Sequence, residues 1–134
     1  MKILFVCRCN RFRSRIAEAY FKKINKNKNI KVDSAGLFKG KPIDKREIKE
    51  AEKFNLNIRG KTKAMSSKLI ENQDLIVNVA EDIPRNLFKK GEVKKLIRWE
   101  IKDSKSSDKK GINRIINEII KKVDLLVNKL KERK

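Results

Sequence analysis

The chain opens with an apolar block, Ile3-Leu4-Phe5-Val6, that stops at Cys7. Such a run, without polar alternation, predicts a strand buried on both faces. From Ser14 the period changes. Ile16, Ala17, Tyr20, Phe21 and Ile24 recur at steps of three and four, the spacing of one helix face. Residues 25–29 are a polar turn. Ile30 to Asp33 predicts a second strand, ended by Ser34-Ala35-Gly36. A loop with Gly40 and Pro42 leads to Asp44, which can cap a helix through Phe54, with Glu47 completing a capping box. Residues 55–63 define no element. Ser66 or Ser67 can cap a short helix to about Asn72. Leu75 to Val79, rich in β-branched residues, predicts a third strand. Asp82 precedes a short helix with Pro84 in its first turn, ending before Gly91. Val93 to Trp99 predicts a fourth strand. A long helix follows from about Asp108, with a stripe from Ile112 and Ile115 to Val127 and Leu130.

Strands alternating with helices predict an α/β fold: a three-layer open sheet of four parallel strands with helices on both faces. The length of 134 residues suits one domain, residues 1–134, with a core that needs no disulfide staples. In open parallel sheets, ligands bind beyond the carboxyl ends of the strands. Cys7 falls at such an end.

Composition narrows the chemistry. The chain has no histidine, which excludes Ser-His-Asp and Cys-His catalysis within it and His-ligated metal sites. Its two cysteines, Cys7 and Cys9, are too few for a disulfide framework or a four-cysteine metal site. The amino-terminal apolar block is too short for a signal peptide, and no run approaches a membrane span. A cytoplasmic protein in a reducing compartment is expected. The net charge of +20 has two readings. Scattered lysines suit an ordinary solvated surface, whereas a concentrated field would attract an anionic partner. The lysines here are scattered.

The informative stretch is Cys7-Arg8-Cys9-Asn10-Arg11-Phe12-Arg13-Ser14. A cysteine ends a strand, a five-residue loop follows, and Arg13 with Ser14 open a helix. Backbone N–H groups of such a loop can turn inward and cradle an anion at the helix start. The same field favours a thiolate without any histidine. Arg13 can fork onto two oxygens of a tetrahedral oxyanion, and Ser14 can donate to the sulfur. Cys7 is then a nucleophile toward phosphorus. A buried, inert strand-end cysteine is the bland alternative, and the strand before and helix after the Cys-x5-Arg-Ser spacing argue against it.

With these residues the chain resembles the low-molecular-weight protein tyrosine phosphatases, a family that includes thioredoxin-coupled arsenate reductases. The pattern Leu-Phe-Val-Cys-x-x-Asn-x-x-Arg-Ser-x-x-Ala-Glu is met from Leu4 to Glu18. Ser34-Ala35-Gly36, Gly40-Lys-Pro42, Asp74-Leu-Ile-Val77 and the acidic loop from Trp99 to Asp103 follow in order. The resemblance implies a phosphate monoester hydrolase of phosphotyrosine type that needs no metal and no cofactor. Cys7 would form a cysteinyl-phosphate, with Arg13 binding phosphate. Asp103 would be the general acid and then the general base. Ser14 would stabilise the thiolate, Asn10 and Ser34 would hold the loop in shape, and Arg8, Cys9, Asn10, Arg11, Phe12 and Phe38 would contact substrate. Asp108 competes with Asp103, and Ser34 can equally just end its strand.

Several positions depart from the family pattern. Cys9 stands where glycine is usual, which costs strain if the position needs positive φ. Phe12 replaces a second loop cysteine, so the protective disulfide between those positions is unavailable. Arg15 and Ser104 replace prolines. The histidine that often joins the Asn/Ser network is absent, and the segment near Gly60-Lys61 takes its place. Arg8, Arg11 and Arg15 add three cations around the mouth, which suits a substrate with more than one anionic group or is only a basic rim. Expected partners are a phosphorylated protein or small phosphate monoester, with inorganic phosphate as product. No membrane is expected, and the chain should be a monomer. Two rivals stand: arsenate reduction with an external thiol, and a non-catalytic anion- or nucleic-acid-binding relative, whose binding to nucleic acid would be non-specific.

Overall fold

The computed structural model describes residues 1–88 and 93–132. The first apolar block becomes strand β1, Lys2–Cys7, with Ile3 to Val6 fully buried. Helix α1, Arg13–Ile24, follows after the loop. Strand β2, Lys31–Gly36, runs beyond the predicted end at Asp33, because Ser34, Ala35 and Gly36 pair with Phe5, Val6 and Cys7 of β1. Helix α2 is Lys45–Glu52, capped by Asp44 through the Arg46 N–H. Helix α3 is Ser67–Glu71, capped by Ser66 through the Leu69 N–H. Strand β3 is Leu75–Ala80, and a 3-10 turn covers Arg85–Leu87 where a short helix was expected. The expected end of that helix near Gly91 lies outside the described residues. Strand β4 is Leu96–Ile101, shifted toward the carboxyl end of the predicted Val93–Trp99. Helix α4 is Lys109–Glu132.

The four strands form one parallel sheet in the order β2-β1-β3-β4. Successive side chains of β1 point to opposite faces. Ile3 and Phe5 join the larger core under α1, α2 and α4, with Phe21, Ala51, Ile115, Ile119 and Val123. Leu4 and Val6 join a smaller core with Ile76, Ile83 and Phe88, covered by Leu69 and Ile70 of α3. The chain leaves β1 toward β2 on one side and returns to β3 on the other. The connections therefore part at the carboxyl end of β1, the usual place for a ligand crevice. Among the described residues no helix is long and apolar enough to cross a membrane.

Candidate active site

Cys7 is the last residue of β1, and Arg13 is the first of α1. The carbonyls of Cys7 and Arg8 accept from the N–H groups of Leu37 and Phe38, at 3.0 and 2.9 Å. A trans peptide points its N–H opposite to its C=O. The next N–H groups therefore turn to the inner side of the loop. Gly36 makes this possible: a Cβ there would lie 2.7 Å from the backbone of Cys9 and Asn10. The helix start adds its own first-turn N–H groups, which the side chain of Phe12 at the cap position does not bond.

Asn10 holds the loop from within. It has φ of +55°, a conformation asparagine tolerates better than most residues, and it is fully buried. Its amide nitrogen donates to Ser14 Oγ at 2.9 Å and to Ser34 Oγ at 3.0 Å. Ser34 Oγ in turn donates to Glu18 Oε1 at 2.5 Å. Ser14 Oγ lies 3.0 Å from Cys7 Sγ. Since Ser14 already accepts from Asn10, its single hydrogen is free for the sulfur.

Arg13 is buried, at 4% exposure. One terminal nitrogen donates to Ile101 O at 2.9 Å, and the other to both oxygens of Asp82, at 2.9 and 3.1 Å. Asp103 Oδ2 stands 3.8 Å from the latter nitrogen, and its side chain is more than half exposed. These groups line a pocket of about 280 Å³ together with Cys7, Arg8, Cys9, Arg11, Phe12, Glu47 and Ser104-Lys105-Ser106. Glu47, at 5% exposure, forms part of its wall. Burial pushes its carboxyl up to about 7; Arg11 opposes this, and Asp103 adds to it.

The pocket thus gathers a cysteine thiol, the loop after β1, three arginines and three carboxyls into one space. The family model for low molecular weight phosphotyrosine protein phosphatase matches residues 2–134. The chain belongs to that family. Among solved structures it is similar to an arsenate reductase from Archaeoglobus fulgidus, at 29% identity and TM-score 0.81, over 94% of this chain and 98% of that one. It is also similar to a YwlE mutant from Bacillus subtilis, at 21% identity and TM-score 0.82, over 98% and 99% of the two chains. A low molecular weight protein tyrosine phosphatase from T. tengcongensis gives 21% identity and TM-score 0.82, over 96% and 99%. No curated protein matches by sequence. The phosphatase family and these neighbours comprise cysteine-based phosphatases and arsenate reductases.

In this family member the structure brings Cys7, Ser14, Asn10 and Ser34 together as one hydrogen-bonded group, and places Arg13 and Asp103 with Cys7 in the pocket lining. Asp108, the competing acid, instead accepts the Gly111 N–H at the start of α4. Cys9 carries no positive φ; that conformation falls on Asn10, so the strain expected at Cys9 does not arise. Phe38, expected at the substrate mouth, is not among the residues that line the pocket; it is 54% exposed and its backbone N–H donates to Arg8 O. Phe12 lines the pocket but is mostly core, at 4% exposure. Of the three cations expected around the mouth, Arg8 and Arg11 line the pocket and Arg15 does not. Arg8 is exposed at the pocket, Arg11 donates to Pro42 O, and Arg15 turns to the far side of the loop against residues 58–61. Glu47 leaves the expected capping box for the pocket wall, since packing α2 against the core points its first turn at the site. Asp82 reads in the sequence only as the residue that precedes a short helix. Its place just beyond the carboxyl end of β3, beside the crevice, was the available signal.

Proposed function

We propose that the chain is a phosphate monoester hydrolase of phosphotyrosine type, acting through a cysteinyl-phosphate. The observation that supports this best is Cys7 Sγ held 3.0 Å from Ser14 Oγ, in a pocket that Arg13 and Asp103 also line. The Cys7 thiolate attacks phosphorus as the ester P–O bond breaks. Asp103 gives its proton to the departing oxygen. Loop N–H groups and the Arg13 guanidinium hold the equatorial oxygens, where charge is concentrated in the transition state. Asp103, now a carboxylate, takes a proton from water as the water attacks phosphorus. The P–S bond breaks and inorganic phosphate leaves. A solved relative, the YwlE arginine phosphatase, is described as a cysteine-to-serine mutant carrying a phosphorylated active-site serine, in line with a phosphorylated nucleophile here. The reaction needs no metal, and the enzyme works as a cytoplasmic monomer.

The test is hydrolysis of an aryl phosphate, without metal and with reductant, by wild type and Cys7→Ser. Activity lost in Cys7→Ser and blocked by vanadate supports the reading. Arsenate reduction with an added small thiol, in the absence of ester hydrolysis, favours the reductase. Silence in both assays with the fold intact favours a binding module.

A further inference from the structure

Arg15 follows the loop directly, and its guanidinium is committed on nearly every side. Nε donates to Ile58 O at 2.8 Å, one terminal nitrogen to Lys61 O at 3.1 Å, and the other to Arg59 O at 3.0 Å. The nitrogen on Lys61 also donates to Asn10 Oδ1 at 3.3 Å. Four of the five N–H directions of an arginine are thus satisfied by this protein. Gly60 lies against the guanidinium: at φ of +138°, its Cβ would stand 2.5 Å from Arg15 Nη2. Only a glycine lets the chain wrap the cation so closely.

The consequence runs through Asn10. Its Oδ1 faces two donors, Arg15 and the backbone N–H of Lys63 at 3.1 Å, and its Nδ2 faces two hydroxyls. A flipped amide would set NH2 against two N–H donors. It would also leave Ser14 free to turn its hydrogen toward Asn10 and away from Cys7. We infer that Arg15 is a positioning residue that clamps residues 58–61 to the loop and fixes the Asn10 amide, so that Ser14 donates to the Cys7 sulfur. The inference deepens the proposed reaction at the same site, yet its primary readout does not depend on catalysis.

That readout is the rate at which iodoacetamide alkylates Cys7, at mildly acidic relative to alkaline pH. Trypsin cleaves after Arg8, so Cys7 and Cys9 are read in separate peptides. The charged groups lining the same pocket, Arg8, Arg11, Arg13, Lys105, Glu47, Asp82 and Asp103, are untouched by the substitution. In Arg15→Met the acidic-to-alkaline ratio for Cys7 falls about fivefold, the scale of weakening one charge-assisted hydrogen bond, while the ratio for Cys9 holds. The kcat for an aryl phosphate falls more than its KM rises, and Arg15→Lys recovers only part of either effect. A folded Arg15→Met with the wild-type ratio at Cys7 overturns the inference, and so does an equal change at both cysteines, which marks general loosening. Should Arg15→Met not fold, Gly60→Ala displaces the guanidinium from the opposite side, with the same expected fall and the same overturning result. A wild type that hydrolyses no ester yet shows this dependence removes the proposed function and keeps the role of Arg15. An active wild type without the dependence does the reverse.

Discussion

Arg13 and Asp82 are locked together at the pocket floor, one guanidinium nitrogen bridging both carboxylate oxygens at 2.9 and 3.1 Å. The arginine side chain is 5% exposed and that of Asp82 30%, so the pair is screened far less than a surface one. Asp82 fixes where Arg13 points, and the Ile101 carbonyl shares the task. In Asp82→Asn the guanidinium loses its anchor but keeps its charge. The expected result is a loss of about 10- to 100-fold in kcat/KM, with a parallel weakening of inhibition by inorganic phosphate. Inhibition constants for phosphate in both proteins check this.

Asp103 and Asp108 part company in the structure, one at the pocket and one at a helix start. Asp103→Asn should lower kcat for a poor leaving group by about 10²- to 10⁴-fold, with little change in KM. With an activated aryl phosphate the loss should shrink, since that leaving group needs no proton. Asp108→Asn should instead lower the melting temperature slightly. Equal kinetic losses in both variants would remove Asp103 from its assigned role.

Cys9 lies in a loop position without left-handed backbone, so a glycine relieves nothing. Cys9→Gly adds freedom to the unfolded chain and to the loop. Its expected cost is about 0.5–1 kcal/mol of stability, and kcat/KM should fall, not rise. Denaturant unfolding beside a kinetic assay decides it.

Glu47 makes stability depend on pH. Its folded carboxyl is pushed up to about 7 from an ordinary 4.5, first by burial. Between those values the folded protein keeps a proton that the unfolded chain has lost, so this group's contribution to stability declines as pH rises through the window. Glu47→Gln should flatten that decline. It should stabilise the protein above neutrality by about 1–2 kcal/mol, after allowance for partial solvent screening. Thermal melts at acidic and alkaline pH compare the slopes.

Periodicity alone revealed most of the frame. The apolar runs at Ile3–Val6 and Leu75–Val79 and the stripe from Ile112 to Leu130 have one physical solution, burial, and each became a central strand or the long helix. Strand ends were less legible. Ser34 and Gly36 have low strand propensity, yet they pair because β1 extends beside them. The Val93–Trp99 expectation slid toward Ile101, where β4 bulges against β3 and Glu100 takes φ of +50°. At the site, Cys7, Arg13 and Ser14 were readable from spacing because the loop is local in sequence. Asp82, Glu47 and the carbonyls around Arg15 reach it from distant segments, and no local pattern marks a partner brought in by the sheet.

The loop carbonyls taken by Leu37 and Phe38, with Gly36 pressed against Asn10, bear on how affinity is distributed. The cradle keeps its shape before any anion arrives. A phosphate entering it has only to shed its own water, because the loop's ordering was settled when the chain folded. Binding strength is thereby tied to the integrity of the β1–β2 edge. A substitution that frays that edge, far from any oxygen of the ligand, would weaken phosphate binding and global stability together.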